Sequence, residues 1–297
     1  MRLASVRHGD AIRLAAVLGS GEDLAVALLP EPLGSLDDVV RGGPSALEAA
    51  REALPSARVL PASEVGFAPP LRRFNRDILC TGWNYLEHFE ESPAKRGGQG
   101  PQTLPSHPTF FTKAPGAAIG PYEDIAFDQQ LSSEWDYEAE IAVVIGRDGR
   151  SIPEDRALEH VFGYCVANDV SQRDLQRAHG GQWMKGKSVD GTTPIGPWIS
   201  TPDEIDDIGA LTIQCEVNGV RLQDAVTSQM AYPFGRLIAE LSWGMTLHAG
   251  DVILTGTPSG VGSAREPKSF LAAGDVVITR VSGLGELRNR ISPVRLT

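Results

Sequence analysis

The residues of this chain whose types and spacing most readily do chemistry are carboxylates. In the stretch Asp136-Tyr137-Glu138-Ala139-Glu140-Ile141-Ala142-Val143-Val144-Ile145-Gly146, two glutamates stand two residues apart at the entrance to a β-branched run. If the run is a strand, Glu138 and Glu140 leave the same face, because successive side chains alternate. Like charges side by side in a partly buried sheet repel, and each desolvated carboxylate needs a partner. A divalent cation is one such partner. A second apolar run over 161–167 also reads as a buried strand and delivers Asp169 just past its end. Three carboxylates with no Cys or His nearby suit a hard, oxygen-seeking ion better than zinc, so Mg2+ or Mn2+ is expected, with Ca2+ also accommodated. The spacing alone fits equally well a solvated strand face carrying scattered acids.

Other candidates are less specific. His88 and Glu91 are three residues apart after the turn at 81–84, so on a helix they share a face. The carboxylate could then hold the imidazole as a general base, although a surface pair is the plainer reading. Lys113 closes an apolar run at 110–113 and could meet a substrate carboxylate or simply snorkel to solvent. Gly186-Lys187-Ser188 invites a nucleotide-binding reading, but the upstream glycine that a P-loop requires is absent, so that site is excluded. The glycine-rich segment 257–262 has amides and a Thr257 hydroxyl that could receive an oxyanion, or it is a plain tight loop.

These residues need a scaffold to position them. Residues 1–70 alternate short apolar runs, Ala11–Leu18 and 24–29, with turn residues, then carry a helical patch over 45–54. Pro55, Pro61, Pro69 and Pro70 then mark a boundary. The expectation is a small N-terminal α+β domain over 1–70 and a catalytic domain over 71–297. The polar segment 92–108, with Lys95 and Arg96, is expected to be a lid or a connector. A helix is expected over 153–160, and a hairpin at 211–217 turning at Asn218-Gly219. The spacing of Leu237, Ile238 and Leu241 predicts a helix over 232–242, opened by Pro233. Gly250-Asp251 and Gly274-Asp275 each launch an apolar strand. Many short strands and few long helices give a β-rich α+β fold with a rolled sheet.

Composition narrows the partners. The 297 residues include 38 acidic and 27 basic side chains, a net charge of −11, which disfavours nucleic acid and anionic membrane surfaces. Small molecules are the expected partners. Cys80, Cys165 and Cys215 are odd in number and lack a Cys-x-x-Cys spacing, so reduced thiols and a cytoplasmic setting are expected. The start, Met1-Arg2-Leu3-Ala4-Ser5, carries no continuous apolar export signal, and no stretch nears the ~18 apolar residues of a membrane span.

Taken together, several motifs resemble the fumarylacetoacetate hydrolase family: Gly-x-Asn-Tyr-x-x-His over 82–88, Asp-Tyr-Glu-x-Glu over 136–140, Phe-Gly-Tyr-x-x-Ala-Asn-Asp-Val-Ser-x-Arg-Asp over 162–174, Gly-Lys-Ser over 186–188 and Leu-Thr-Gly-Thr-Pro-x-Gly-Val-Gly over 254–262. The resemblance runs from about residue 71 to the end and keeps the family's order. It implies a mixed β-roll around the site, assembled as a homodimer. It also implies that Glu138, Glu140 and Asp169 are metal ligands, that Lys187 faces the substrate and helps position an attacking water, and that Gln176 and Thr257 contact substrate oxygens. His88 and Glu91 fit the His-x-x-Glu pair of the acylpyruvase-like branch. Trp83 departs from that branch, some members of which have an arginine there, and the 92–108 segment is longer than in its compact members. The activity implied is metal-dependent carbon–carbon cleavage of a 2,4-diketo acid such as an acylpyruvate or fumarylpyruvate. Oxaloacetate-type decarboxylation and 2-hydroxymuconate-type isomerisation are the alternatives, and a non-catalytic binding protein is a remote one.

Overall fold

The computed structural model describes residues 1–91 and 101–296. Of the segment expected as a lid or connector, positions 92–100, including Lys95 and Arg96, lie outside the described residues. Residues 101–108 follow an irregular path into the strand Thr109–Lys113.

The chain is dominated by short strands, most of which form two packed sheets, with two further two-stranded pairs. The larger one runs Arg58–Pro61, Ala25–Leu28, Ala11–Leu18, Arg2–His8, Thr193–Ser200, Val161–Asn168, Ala139–Ile145, Val252–Leu254, Ile78–Gly82, Thr109–Lys113. Along this path the pairings are antiparallel except between Val252–Leu254 and Ile78–Gly82, which run parallel, and Ala118–Ile119 adds a short parallel pairing to Thr193–Ser200. The second sheet has five strands in the order Val220–Val226, Thr212–Val217, Val276–Val281, Gly285–Pro293, Ile125–Phe127. The mixed, β-rich α+β architecture expected from the sequence is the one observed.

The Ala139–Ile145 strand shows how the layers form. All seven of its residues are buried, as a strand covered on both faces requires. Ile141, Val143 and Ile145 enter the core shared with the five-stranded sheet, which also contains Ile213, Val277 and Leu287. Ala142 and Val144 point the other way, into a core with Leu36, Val39, Val40 and Ala50. Those four belong to the helix Leu36–Ala53, which covers the outer face of the large sheet. Each buried Leu or Val is worth roughly 1.5–3 kcal/mol relative to exposure. The helix begins nine residues before the 45–54 patch read from the sequence. Ser35 and Asp38 form a reciprocal capping box that starts it early. The Gly42-Gly43-Pro44 interruption becomes a kink, with Gly43 left-handed at φ 64°.

The first 70 residues supply five strands that continue the large sheet, joined to it where Arg2 and Leu3 pair with Ser200 and Ile199. The segment expected as a helix over 153–160 is a 3-10 turn, Glu154–His160, while the Phe234–Ser242 helix buries Leu237, Ile238 and Leu241 as its stripe predicts. All three cysteines are buried free thiols, and among the described residues no helix is long and apolar enough to cross a membrane.

Candidate active site

Two strand ends deliver the acidic cluster. Glu140 is the second residue of the Ala139–Ile145 strand and lies opposite Ala167. By alternation it shares a face with Ala142 and Val144, at the end of the sheet where the apolar lining stops. Glu138 sits one residue before the regular strand, yet its backbone is tied to the neighbouring strand. Its N–H donates to Asn168 Oδ1 at 3.0 Å, and its carbonyl accepts from the Asp169 N–H at 2.9 Å. That pair of bonds fixes Asp169 beside Glu138. The three side chains are buried, and one oxygen from each lies within 4.8 Å of the others.

Buried carboxylates at such separations need compensation, and the chain supplies part of it. Lys187 Nζ donates to Glu138 Oε2 at 2.7 Å and to Asp169 Oδ2 at 2.8 Å. Lys113 Nζ donates to the other Asp169 oxygen and, at 3.0 Å, to the Val170 carbonyl. Arg173 bridges Glu138 at 2.6 Å and Asp136 at 2.9 Å. Glu140 forms no ion pair among the described residues; its Oε2 accepts the Gly256 N–H at 2.7 Å. Four carboxylates (Asp136, Glu138, Glu140, Asp169) therefore face three cations (Lys113, Lys187, Arg173), and one negative charge is in excess. The consequence falls on Glu140. Burial, reinforced by the charges of Asp169 and Glu138, pushes its carboxyl well above the usual range. For Glu138, burial acts in the same sense, but Lys187 and Arg173 overcome it and bring the group down to about 2. Burial opposes the charge on Lys187, and Asp169 and Glu138 outweigh it, so the ammonium is held above its ordinary value.

The rim carries the rest of the machinery. His88, on the short helix Leu86–Glu90, has its Nδ1 held by Glu91 Oε1 at 2.6 Å. The second Glu91 oxygen accepts the Gly260 N–H at 2.7 Å, so the pair is anchored to the glycine-rich loop. Gly260 is at φ 104°, and a Cβ there would meet the Leu222 carbonyl oxygen at 2.0 Å. Thr257 Oγ1 receives Gln223 Nε2 at 2.8 Å, while Gln223 Oε1 accepts the Ala139 N–H at 2.9 Å, linking this loop to the acidic strand. Asn84 bonds Thr255 O at 2.7 Å and both backbone groups of Tyr232.

His88, Gln176, Thr257, Lys187, Glu138 and Glu140 all line one cavity, while Asp169 lies behind it, bonded to Lys187 and Lys113. Gln176 also accepts from Arg173 Nη1 at 3.2 Å. Lys113 is placed differently. It is fully buried, neither at the surface nor among the cavity-lining residues, and its ammonium serves Asp169. Sequence reasoning passed over Arg173, Asp136 and Gln223. The acidic Asp136-x-Glu138-x-Glu140 run with no base nearby in sequence was the signal that a distant cation must exist, without saying which. Trp83, Trp183 and Phe111 also line it, with Thr81, Gly82 and Arg173.

A hard divalent cation fits this donor set. The three carboxylates converge on one point, supply oxygen only, and hold one uncompensated charge. Fold and site define the class. The family model for the fumarylacetoacetate (FAA) hydrolase C-terminal region matches residues 77–292. The chain belongs to the fumarylacetoacetate hydrolase family and is an enzyme of that superfamily. Among its relatives, the human mitochondrial oxaloacetate tautomerase FAHD2A is 41% identical over 251 residues, 84% of this chain and 77% of that protein. The Bacillus subtilis oxaloacetate tautomerase YisK is 39% identical over 229 residues, covering 77% and 74%. A fumarylacetoacetate hydrolase structure from Exiguobacterium antarcticum superposes with a TM-score of 0.83 at 34% identity, covering 99% of this chain and all of that one. A 5-carboxymethyl-2-hydroxymuconate delta-isomerase structure from Mycobacterium smegmatis does so with 0.77 at 31% identity, with the same coverage.

Proposed function

We propose that the protein is a divalent-cation-dependent tautomerase of short 2-oxo diacids, with oxaloacetate as substrate. The observation that carries the reading is a single cavity lined by Glu138 and Glu140 of the buried carboxylate cluster and by His88, whose imidazole is clamped by Glu91. The named relatives catalyse this interconversion and support the choice of substrate. A bound Mg2+ or Mn2+ would supply Lewis-acid polarisation to a chelating 2-oxo acid. Glu138, Glu140 and Asp169 would hold it, and it would turn the cluster's excess of one negative charge into one positive, which suits a dianion.

The chain's own residues then divide the proton work. With Nδ1–H donating to Glu91, His88 presents Nε2 as the basic nitrogen. Nε2 takes the proton from C3 of the keto acid, and the enol oxygen is protonated by Lys187, whose ammonium Asp169 and Glu138 keep charged. Glu138 and Asp169 would serve both a bound cation and Lys187, whose ammonium lines the cavity beside them. In the reverse direction the imidazolium returns its proton to C3 while the enol O–H gives its proton back to a neutral Lys187 amine. A positioned base of this kind contributes about 10² to 10⁴ in rate.

The same His88–Glu91 pair favours a second reading, hydrolysis of a 2,4-diketo acid, in which His88 deprotonates water and the Thr257 loop receives the oxyanion. The two are separated on one preparation. Enol oxaloacetate is mixed with enzyme plus Mg2+ or Mn2+ and the decay of its ultraviolet absorbance is followed, alongside pyruvate formation and the cleavage of an acylpyruvate. Cation-dependent acceleration of enol decay beyond buffer is expected. Acylpyruvate cleavage without that acceleration would establish the hydrolase reading in its place.

A further inference from the structure

Three aromatic rings share the cavity with the carboxylates, and they form a continuous series. Lys187 Nζ lies 5.0 Å from the centroid of Phe111. Trp183 meets Phe111 at 5.2 Å and Trp83 at 4.7 Å, edge-on in both cases, and Trp83 meets Phe89 at 6.2 Å. Gly82 allows this packing: a Cβ there would come within 2.6 Å of the Trp183 ring. Trp83 itself is held at φ 54°. A bulky residue rarely adopts that conformation, and keeps it only where its surroundings over-determine it. Here the neighbouring Asn84 is fully buried and bonded to Thr255 and Tyr232. The space these rings leave over Glu138 and Glu140 is about 30 Å³, room for no more than a few waters.

We propose that this aromatic wall sets the size of substrate the enzyme accepts, and that Trp83 is its specificity-determining residue. A 2-oxo acid whose C3 substituent is no larger than a carboxylate fits beneath the rings after Lys187 yields its place. A substituent the size of a phenyl ring collides with Trp83. The inference rests on the 2-oxo acid reading above and adds the limit on what C3 carries.

Phenylpyruvate is the probe, because it undergoes the same keto–enol exchange as oxaloacetate with an aryl group in place of the distal carboxylate. Trp83→Gly is the informative variant: it removes the ring while keeping a backbone conformation that glycine adopts freely, and its cooperative thermal unfolding is checked before the kinetics are read. Trp183→Leu, elsewhere in the wall, guards against an effect peculiar to position 83. The ratio of kcat/KM for phenylpyruvate over oxaloacetate is expected to rise at least about tenfold in Trp83→Gly, the discrimination typical of a pocket's steric limit, and to rise less in Trp183→Leu. A parent enzyme that already handles both substrates equally, or a ratio that Trp83→Gly leaves unchanged, overturns the assignment. If the parent tautomerises neither compound, the oxo-acid tautomerase reading falls. The wall is then judged by equilibrium binding of phenylpyruvate against pyruvate to the Mg2+-loaded protein: a tenfold gain in that ratio in Trp83→Gly upholds it, and no gain refutes it.

Discussion

Cation binding should expel a proton from Glu140, and the size of the effect follows from the charge count. In the metal-free protein, four carboxylates share three cations, and Glu140, without an ion pair of its own among the described residues, has its carboxyl raised by burial and by the charges of Asp169 and Glu138. A ligand carboxylate must be deprotonated to bind. Between the ordinary value near 4.5 and the raised one, each pH unit should therefore tighten Mg2+ binding by about tenfold, or about 1.4 kcal/mol. The sign for folding runs the other way. A carboxyl raised in the folded state contributes stability that is complete below its unfolded pKa and is lost as pH rises through the folded one. The metal-free protein should accordingly lose stability with rising pH, and the Mg2+-induced increase in Tm should widen over the same range. Isothermal titration in two buffers of different ionisation enthalpy reads the proton release directly. Glu140→Gln should abolish the release while keeping the fold. Mg2+ affinity that is flat across this range, with no buffer-dependent enthalpy, would refute the reasoning.

Further outcomes follow from the same geometry. His88→Ala should slow enol–keto exchange by about 10² to 10⁴, about 3–5 kcal/mol of barrier. Oxaloacetate decarboxylation on the same preparation, which needs no base at C3, should suffer much less; equal losses would mean that His88 shapes the site and does not move a proton. Lys187→Met leaves Glu138 only Arg173 and Asp169 only Lys113, so four buried carboxylates face two cations, and it should destabilise the metal-free protein by about 3–5 kcal/mol. Because the cation takes over the same oxygens, Mg2+ should raise the Tm of this variant more than that of the parent, and an equal rise would contradict the shared occupancy. Gly260→Ala forces a Cβ against the Leu222 carbonyl and unseats the amide that holds Glu91. It should cost about 1–3 kcal/mol of stability and lower turnover, with Mg2+ affinity measured by calorimetry unchanged.

The local patterns carried much of this protein. Alternation in the run after Asp136 identified a strand and placed Glu138 and Glu140 together, because side chains on a strand repeat every second residue. The apolar run after Val161 delivered Asp169 beside them, and the three-residue spacing of His88 and Glu91 was enough for their contact. The stripe of Leu237, Ile238 and Leu241 fixed a helix. The start of the Leu36–Ala53 helix was harder to read, since Gly42-Gly43-Pro44 signals a break that the fold accommodates as a kink. What no window of sequence contains is the set of partners. Asp136 meets Arg173 across 37 residues, Lys113 reaches Asp169 across 56, and Thr257 meets Gln223 across 34. Lys113 makes the point most clearly. From its neighbours it was a surface or substrate-facing lysine, yet it is wholly buried. Whether an ammonium can be buried depends on a carboxylate being brought to it, and in this chain that carboxylate arrives on a different strand. The sequence therefore determined which residues could do chemistry and on which elements they lie. Only the tertiary structure decided which charges neutralise one another, which carboxyl is left over to hold a proton or a cation, and how little room the aromatic rings leave above it, because each of these is set by contacts between segments far apart along the chain.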